Sequence, residues 1–507
     1  MNQETEPDPE VKAINKHLDA LLGMDVRKPG TAAKLPAVIR RTETLEPAGG
    51  KDFPVFPPSY AGEGTNASPV YDLNGIEWGE MLREKSAKDG TKRITRYIKR
   101  ARHCTMDSPQ SHANRTEIAF RDDPDLLALV PQAEAKIPRK PEFADQSNTN
   151  LLALPHRVAD FRVRASNQKE IAAKAIKEFA QGNALPLLRF MPTSIVFGFW
   201  DSRAEGYQHK HSRILLTRID AFDVVPCEKR SLYTGPYSKD ECASVVLGDD
   251  NLAEKLSEQD STDDEEKAKA GKEAKKWADK MAERGFSNAL GSGLGGVFAE
   301  RIERLALISL TDIASIFCNK PESAPTGVEA KLSADKKAEP DVRPEAKSET
   351  AKKPEPDKVL TDAARRYLLA LALLAESHPR SIGSYRLRSG CELLPSKMET
   401  VLLGAGLDSD AATALKALCE NRELLIKVAK AAQIILGIPQ SPVAAGTFFE
   451  STAASLKGEL EQGGKAKKTL ASADKSKKGT KGKEAADAPS TTNAESSTLP
   501  QTPTPEA

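Results

Sequence analysis

Three stretches of this chain carry too few apolar side chains to build a core, and they decide where the folded part lies. Residues 249–284 pass from acidic sequence (STDDEE) to Lys/Ala-rich sequence with little apolar face, and read as a solvated helical insertion. Residues 321–358 are dominated by Pro, Glu, Lys and Ala, and read as a disordered insertion or linker. Residues 446–507 turn to Ala, Lys, Ser, Thr and Pro, and read as a disordered tail. Much of the 29% charged fraction sits in these segments. The folded part is therefore smaller than the two to four domains that 507 residues would allow.

Between these segments the apolar pattern alternates between helical and strand periods. Val11–Leu22 has Val11, Ile14, Leu18, Leu21 and Leu22 at helical spacing, closed by Gly23, within an N-terminal arm at 1–34. Leu154–Ser166 alternates after Arg157 and reads as a half-buried strand that presents Arg162 and Arg164 on one face. Asn167–Gly182 reads as a helix capped by Asn167, with Ile171, Ala175, Ile176 and Phe179 inward. Ser194–Trp200 (SIVFGFW) is apolar on both faces and reads as a central strand, with Phe199 and Trp200 in the core. Arg213–Asp220 reads as its neighbour. Strand, helix, strand and strand in that order fit an α+β fold with a ferredoxin-like (RRM-like) core over 35–320. After the linker, Thr361–Ser377 is a strong helix, SYRLRSGCELL a strand, and Asp408–Leu436 two further helices; the part at 359–445 is expected to return to the same core.

The charge is uneven although the net value is only +1. Lys92–Arg121 holds 8 Lys/Arg against 2 acids, and Arg157–Arg218 holds 11 against 5. Local basic patches of this kind point to a polyanion. Inside the first lies Cys104–Ile118, CTMDSPQSHANRTEI. Asp107 or Ser108 can cap a helix there, and Pro109 suits its first position. Gln110, Ser111, His112, Asn114 and Arg115 then gather near a helix N-terminus, where side-chain donors and backbone N–H groups suit phosphate and sugar oxygens.

This stretch, DSPQSHANRTE, resembles the signature of the guide-RNA-binding backbone subunit of CRISPR type I effector complexes, subtype G (formerly U), a member of the RAMP superfamily. The family prefers Gln where this chain has His112 and an apolar residue where it has Pro109. LEPAGG…VFPPSYA, the HR…D…R…S stretch from His156, and the block from Arg365 to Leu394 resemble further parts of the same family. The resemblance implies an RRM-like RAMP core that binds guide RNA. It implies several copies along one guide, pairing with target DNA, and partners that include a large subunit, a repeat-end-binding subunit and a recruited helicase–nuclease. The setting implied is the prokaryotic cytoplasm.

The expected RNA contacts are Gln110, Ser111, His112, Asn114, Arg115, Arg157, Arg162, Arg164, Lys210, Arg213, Gly293, Gly295, Gly296 and Arg301. Gly291, Gly293 and Gly296 satisfy GxGxxG, but a charged helix precedes them and a β-like stretch, VFAERIERLALISL, follows. A dinucleotide site needs the reverse order. The glycines instead resemble a RAMP glycine-rich loop, with Arg301 and Arg304 extending its contact. No cofactor and no metal are expected: the six cysteines lie far apart without a CxxC pair, and His209 and His211 suit a phosphate-side loop better than a zinc site. Walker A, GxSxG and HExxH patterns are absent, so no enzymatic activity is expected. The alternatives are a RAMP-type ribonuclease that uses Asp107 and His112, and a general single-stranded-RNA scaffold. No apolar run reaches membrane-spanning length, and MNQETEPDPE lacks an apolar signal core.

Overall fold

The structure is a computed structural model. It describes residues 8–23, 37–62, 69–84, 92–136, 148–202, 209–233, 276–277, 280, 284, 289–320, 355–404, 409–439, 448–452 and 454–457. The expected insertion at 249–284, the linker at 321–358 and the tail beyond 457 lie almost wholly outside these residues. The chain divides into two units, 1–452 and 453–507. Of the second only one helical turn at 454–457 is described.

The first unit is α+β, built on a seven-stranded antiparallel sheet. Its strands are β1 (Val38–Pro47), β2 (Leu73–Glu84), β3 (Lys92–Asp107), β4 (Leu215–Tyr233), β5 (Ala289–Ser309), β6 (Tyr385–Arg388) and β7 (Cys391–Leu403). They lie in the order β6-β7-β1-β5-β4-β3-β2. The four central strands, taken in chain order, are arranged 4-1-3-2 and are antiparallel throughout. Helices fill the connection from β1 to β4. One long helix, Lys358–Ser381, fills the connection from β5 to β7. The order is consistent with a βαββαβ unit, whose first connection here also carries β2 and β3 and whose second also carries β6.

Other strands fill that unit than the sequence suggests. Leu154–Ser166 is no strand: Arg157–Ala159 is a 3-10 turn, and Asp160 caps a short helix, Phe161–Arg164, by accepting from the Arg162 N–H at 3.0 Å. The local cap overrides a few residues of alternation. Ser194–Trp200 is no central strand either. Thr193–Phe197 is helical and fully buried, and among the described residues Phe199–Asp201 pairs only with His209–His211. A short run that is apolar on every side does not distinguish a buried strand from a buried helix. Gly293–Gly296 is no loop: the glycines lie within β5, which pairs with β4 as far as Ala289↔Tyr233. Gly296 has φ +93°, and a Cβ there would lie 2.8 Å from the Val55 carbonyl oxygen. Packing against that segment, rather than a ligand, accounts for this glycine. Phe448–Glu450 pairs in parallel with Glu134–Lys136, and Phe449 is buried, so the ordered chain runs past 446.

Other expectations hold. Pro9–Leu22 (α1) buries the five named apolar residues, and Gly23 ends it. Pro109–Glu117 (α2) has Ser108 as its cap and Pro109 at its start. Lys169–Ala180 (α3) buries Ala175 and Ile176; Ile171, however, is exposed, and Asn167 does not cap it. Thr193–Phe197 is α4. Lys358–Ser381 (α5) buries every residue from Thr361 to Glu376. A helix buried on all sides belongs at the centre of a fold, and each leucine buried there contributes about 1.5–3 kcal/mol. Ser409–Glu420 (α6) packs against α1 and against Arg422–Leu436 (α7), which packs beside α5.

The inner face of the sheet is zoned. On β1, Ile39 joins a large apolar cluster under the helices, whereas Leu45 joins a smaller one with Met106, Ile219 and Leu393. On β5, Ile308 and Ile302 divide in the same way. Between the two clusters sit Arg41, Glu43 and Arg304, all buried. A belt of charge thus separates two apolar cores.

Candidate nucleic-acid interface

The signature helix anchors itself by burying part of its polar sequence. His112 is 1% exposed. Its Nδ1 lies 2.9 Å from Asp107 Oδ2, and its Nε2 lies 3.2 Å from Arg304 Nε. A carboxylate only accepts and a guanidinium only donates, so Nδ1 carries the proton and Nε2 is bare. Burial pushes the His112 pKa down, and the ring is neutral. Burial is the largest single influence and would raise Asp107, but the hydrogen bonds from His112 and Ser111 and the nearby Arg115 charge together outweigh it and hold the carboxyl below its ordinary value. An imidazole in this state has the donor–acceptor polarity of a glutamine amide.

From His112 the polar chain continues inward. Arg304 donates to Glu376 Oε1 at 2.6 Å, Glu376 also pairs with Arg41, and Arg41 reaches Glu420 at 2.7 Å. Tyr385 donates to Glu43, whose carboxylate also faces Arg304. Burial would raise the Glu376 pKa, but the charges of Arg304 and Arg41 hold it down. Nothing in the sequence pattern groups these residues as a set. Arg304, expected beside RNA, is 1% exposed and belongs here.

Arg157 is likewise interior, at 4% exposure. Its Nε donates to Glu117 at 2.7 Å, Nη1 to the Gly198 carbonyl at 3.2 Å and Nη2 to Asn114 at 3.3 Å. Its guanidinium lies 5.2 Å from the Phe197 ring centroid. Its φ is +52°, a strained value for a side chain of this size. So His112 and Arg157 are corrected from surface contacts to interior pegs, the first a neutral ring and the second a charge paired with Glu117.

What these pegs leave outside is a band of polar residues on α2 and the paired strands at 199–201 and 209–211. Gln110 and Arg115 are exposed on α2, and Ser111 and Asn114 are half-buried beside them. Arg115 Nε lies 3.3 Å from Asp107 Oδ2. Beneath the band, the buried Arg157 links Asn114 to Gly198. Gly198 has φ +76°, and a Cβ there would lie 2.9 Å from the His211 carbonyl and 3.1 Å from Arg213 Cγ. The missing Cβ lets Arg213 lie against the base of the hairpin formed by Phe199–Asp201 and His209–His211. Arg213 is half-buried, and its Nε has no hydrogen-bond partner. Among the described residues no carboxylate pairs with it. Burial and the neighbouring Arg157 charge push its pKa below the usual arginine value.

On the hairpin itself Lys210 and Trp200 face outward, with Trp200 58% exposed. Phe199 is core, as expected; Trp200 is not. Arg164 lies 3.7 Å from Asp201, and Arg162 is half-buried on the adjoining short helix. Arg301 stands apart, on the opposite face of the sheet. Its guanidinium is 4.2 Å from the Phe222 ring centroid and pairs with Glu303. Gly293, Gly295 and Gly296 are also remote from the band, in β5. Among the described residues no group of three His, Cys, Asp or Glu could hold a metal ion. None of their helices is long and apolar enough to cross a membrane.

Residues 39–226 match the family described as CRISPR-associated protein GSU0053. The matched span includes α2, Arg157, the hairpin and Arg213. The chain is similar to this family there, which bears out the CRISPR association expected from DSPQSHANRTE. No curated protein matches the chain.

Proposed function

We propose that this chain is the guide-RNA-binding backbone subunit of a type I CRISPR surveillance complex of subtype G. Several copies lie along one guide, hold its phosphates and sugars, and leave its bases free to pair with target DNA. Sequence is then read by base pairing, and the protein needs only backbone contacts. The βαββαβ unit serves as the RAMP core. The other subunits of the complex and a helicase–nuclease act with it in the prokaryotic cytoplasm.

The observation that carries this reading is Arg213. A half-buried guanidinium beside a second arginine, with no described counter-ion, is completed by an anion from outside. Lys210, Arg115 and Gln110 lie on the same band and suit further phosphate and sugar contacts. The chain acts by holding RNA rather than cutting it. The two residues best suited to nuclease chemistry, Asp107 and His112, are each 1% exposed and engage each other.

The test is the affinity of the full chain for single-stranded RNA as a function of salt. Arg213→Ala is expected to weaken binding and to lower the slope of log K against log salt by about 0.7 for each phosphate that is no longer neutralised. An unchanged affinity and slope would remove Arg213 from the interface. Cleavage of RNA with Mg²⁺ or Mn²⁺ present would overturn the non-enzymatic reading.

A further inference from the structure

We infer that Trp200 is a stacking platform for one unpaired base of the strand whose phosphates Arg213 and Lys210 hold. This rests on the reading of the chain as an RNA-binding subunit and adds to it a base contact on the hairpin.

Three observations support the assignment. First, the indole is 58% exposed at the centre of a three-residue strand, and among the described residues no ring or cation packs on it. A large apolar surface in that position is a binding element rather than a core residue turned outward. Second, the hairpin beneath it is held firmly. Phe199 is buried, the Phe179 and His211 rings lie 4.9 Å apart, and His211 Nε2 donates to the Ile195 carbonyl at 3.1 Å. Asp201 on the other flank is buried next to Arg164. A platform fixed in this way loses little freedom on binding.

Third, the surroundings of the indole are cationic. Lys210 is its direct cross-strand partner, and Arg213 lies at the base of the same hairpin. An apolar protein side chain would gain nothing from these charges. A base carried on a phosphodiester strand uses both the π-face and the cations, and every base offers such a face. The ligand is therefore single-stranded nucleic acid, contacted without sequence preference.

The experiment compares a short oligoadenylate with an abasic ribose-phosphate oligomer of equal length, each bound to the full chain. Trp200→Ala is expected to weaken oligoadenylate binding roughly 5- to 100-fold and to leave abasic binding unchanged. Trp200→Phe is expected to recover most of the loss. The chain has three tryptophans, so a W78F/W277F background reports Trp200 emission alone; oligoadenylate should quench it and the abasic oligomer should not. Unquenched emission on oligoadenylate binding, or equal effects of Trp200→Ala on both oligomers, would overturn the stacking role and leave the RNA-binding reading standing. Loss of self-association in Trp200→Ala with oligoadenylate affinity intact would also overturn it, and would assign the indole to a protein contact. If the unsubstituted chain binds neither oligomer, both readings fall.

Discussion

His112 and Arg213 are both basic residues in basic stretches, and the fold uses them in opposite ways. His112 is buried as a neutral bridge between Asp107 and Arg304. On unfolding its ring regains an ordinary pKa near 6.5 and takes up a proton that the folded form refuses. Stability is therefore complete above about pH 6.5 and declines as the pH falls below it. Asp107, depressed in the fold, adds a second loss once the pH drops below its ordinary 3.8. Thermal melting followed by circular dichroism from pH 8 to pH 5 should show a falling Tm. His112→Gln keeps the donor and the acceptor, and should flatten that decline with little cost at pH 8. His112→Ala leaves two buried polar partners unmatched and should cost about 1–3 kcal/mol. A Tm that falls equally in the wild type and in His112→Gln would place the acid sensitivity elsewhere. Arg157 and Arg213 separate along the same line. Arg157→Ala strands the Glu117 carboxylate in the interior and should cost about 3–5 kcal/mol in urea unfolding. Arg213→Ala relieves a like-charge contact and should leave the unfolding midpoint unchanged or raised while RNA affinity falls.

At the scale of the element, legibility depends on whether a segment's pattern fits one structure or two. VFAERIERLALISL alternates over many residues and is a strand, with Ile302, Arg304, Ala306 and Ile308 inward. SIVFGFW is apolar on both faces; no period distinguishes its strand form from the buried helix it adopts. DSPQSHANRTE declares its helix through Ser108 and Pro109, yet not which of its polar residues face inward. Their partners, Arg157 and Arg304, lie 40 residues or more away in sequence. The hairpin carries little signal: HKH alternates but FWD does not, and only the pairing sets Trp200 opposite Lys210. The glycines of β5 mislead because a GxG run suggests a free backbone, whereas Gly296 answers to the close approach of Val55. Gly296→Ala combines a left-handed φ with that contact and should cost about 1–3 kcal/mol. Gly50, also at positive φ, meets nothing within 4 Å and should tolerate the same change better. Equal unfolding midpoints for the two variants would deny the close packing of the 53–56 segment on β5.

At the scale of the whole molecule, the fold closes across its longest gaps. β7 pairs with β1 although more than 300 residues separate them, and Glu376 on α5 binds Arg41 from β1 and Arg304 from β5. The charged belt ties both ends of the chain's core into one sheet and keeps the two apolar clusters in register. Glu376→Ala removes the counter-ion that two buried arginines share, leaving Arg41 only Glu420 and Arg304 only Glu43, and should cost about 3–5 kcal/mol and unfold the unit as a whole. The same belt holds α2 by His112, and so fixes the outer band on which Arg115, Arg213, Lys210 and Trp200 are presented. The most direct test is to express this chain with a CRISPR array and the genes beside it, purify it, and sequence the nucleic acid that accompanies it. A guide-holding subunit should bring down discrete RNAs of repeat-plus-spacer sequence, each bound by several copies of the chain and reduced in the Arg213→Ala form. RNA of random sequence, or protein free of nucleic acid, would contradict the backbone role.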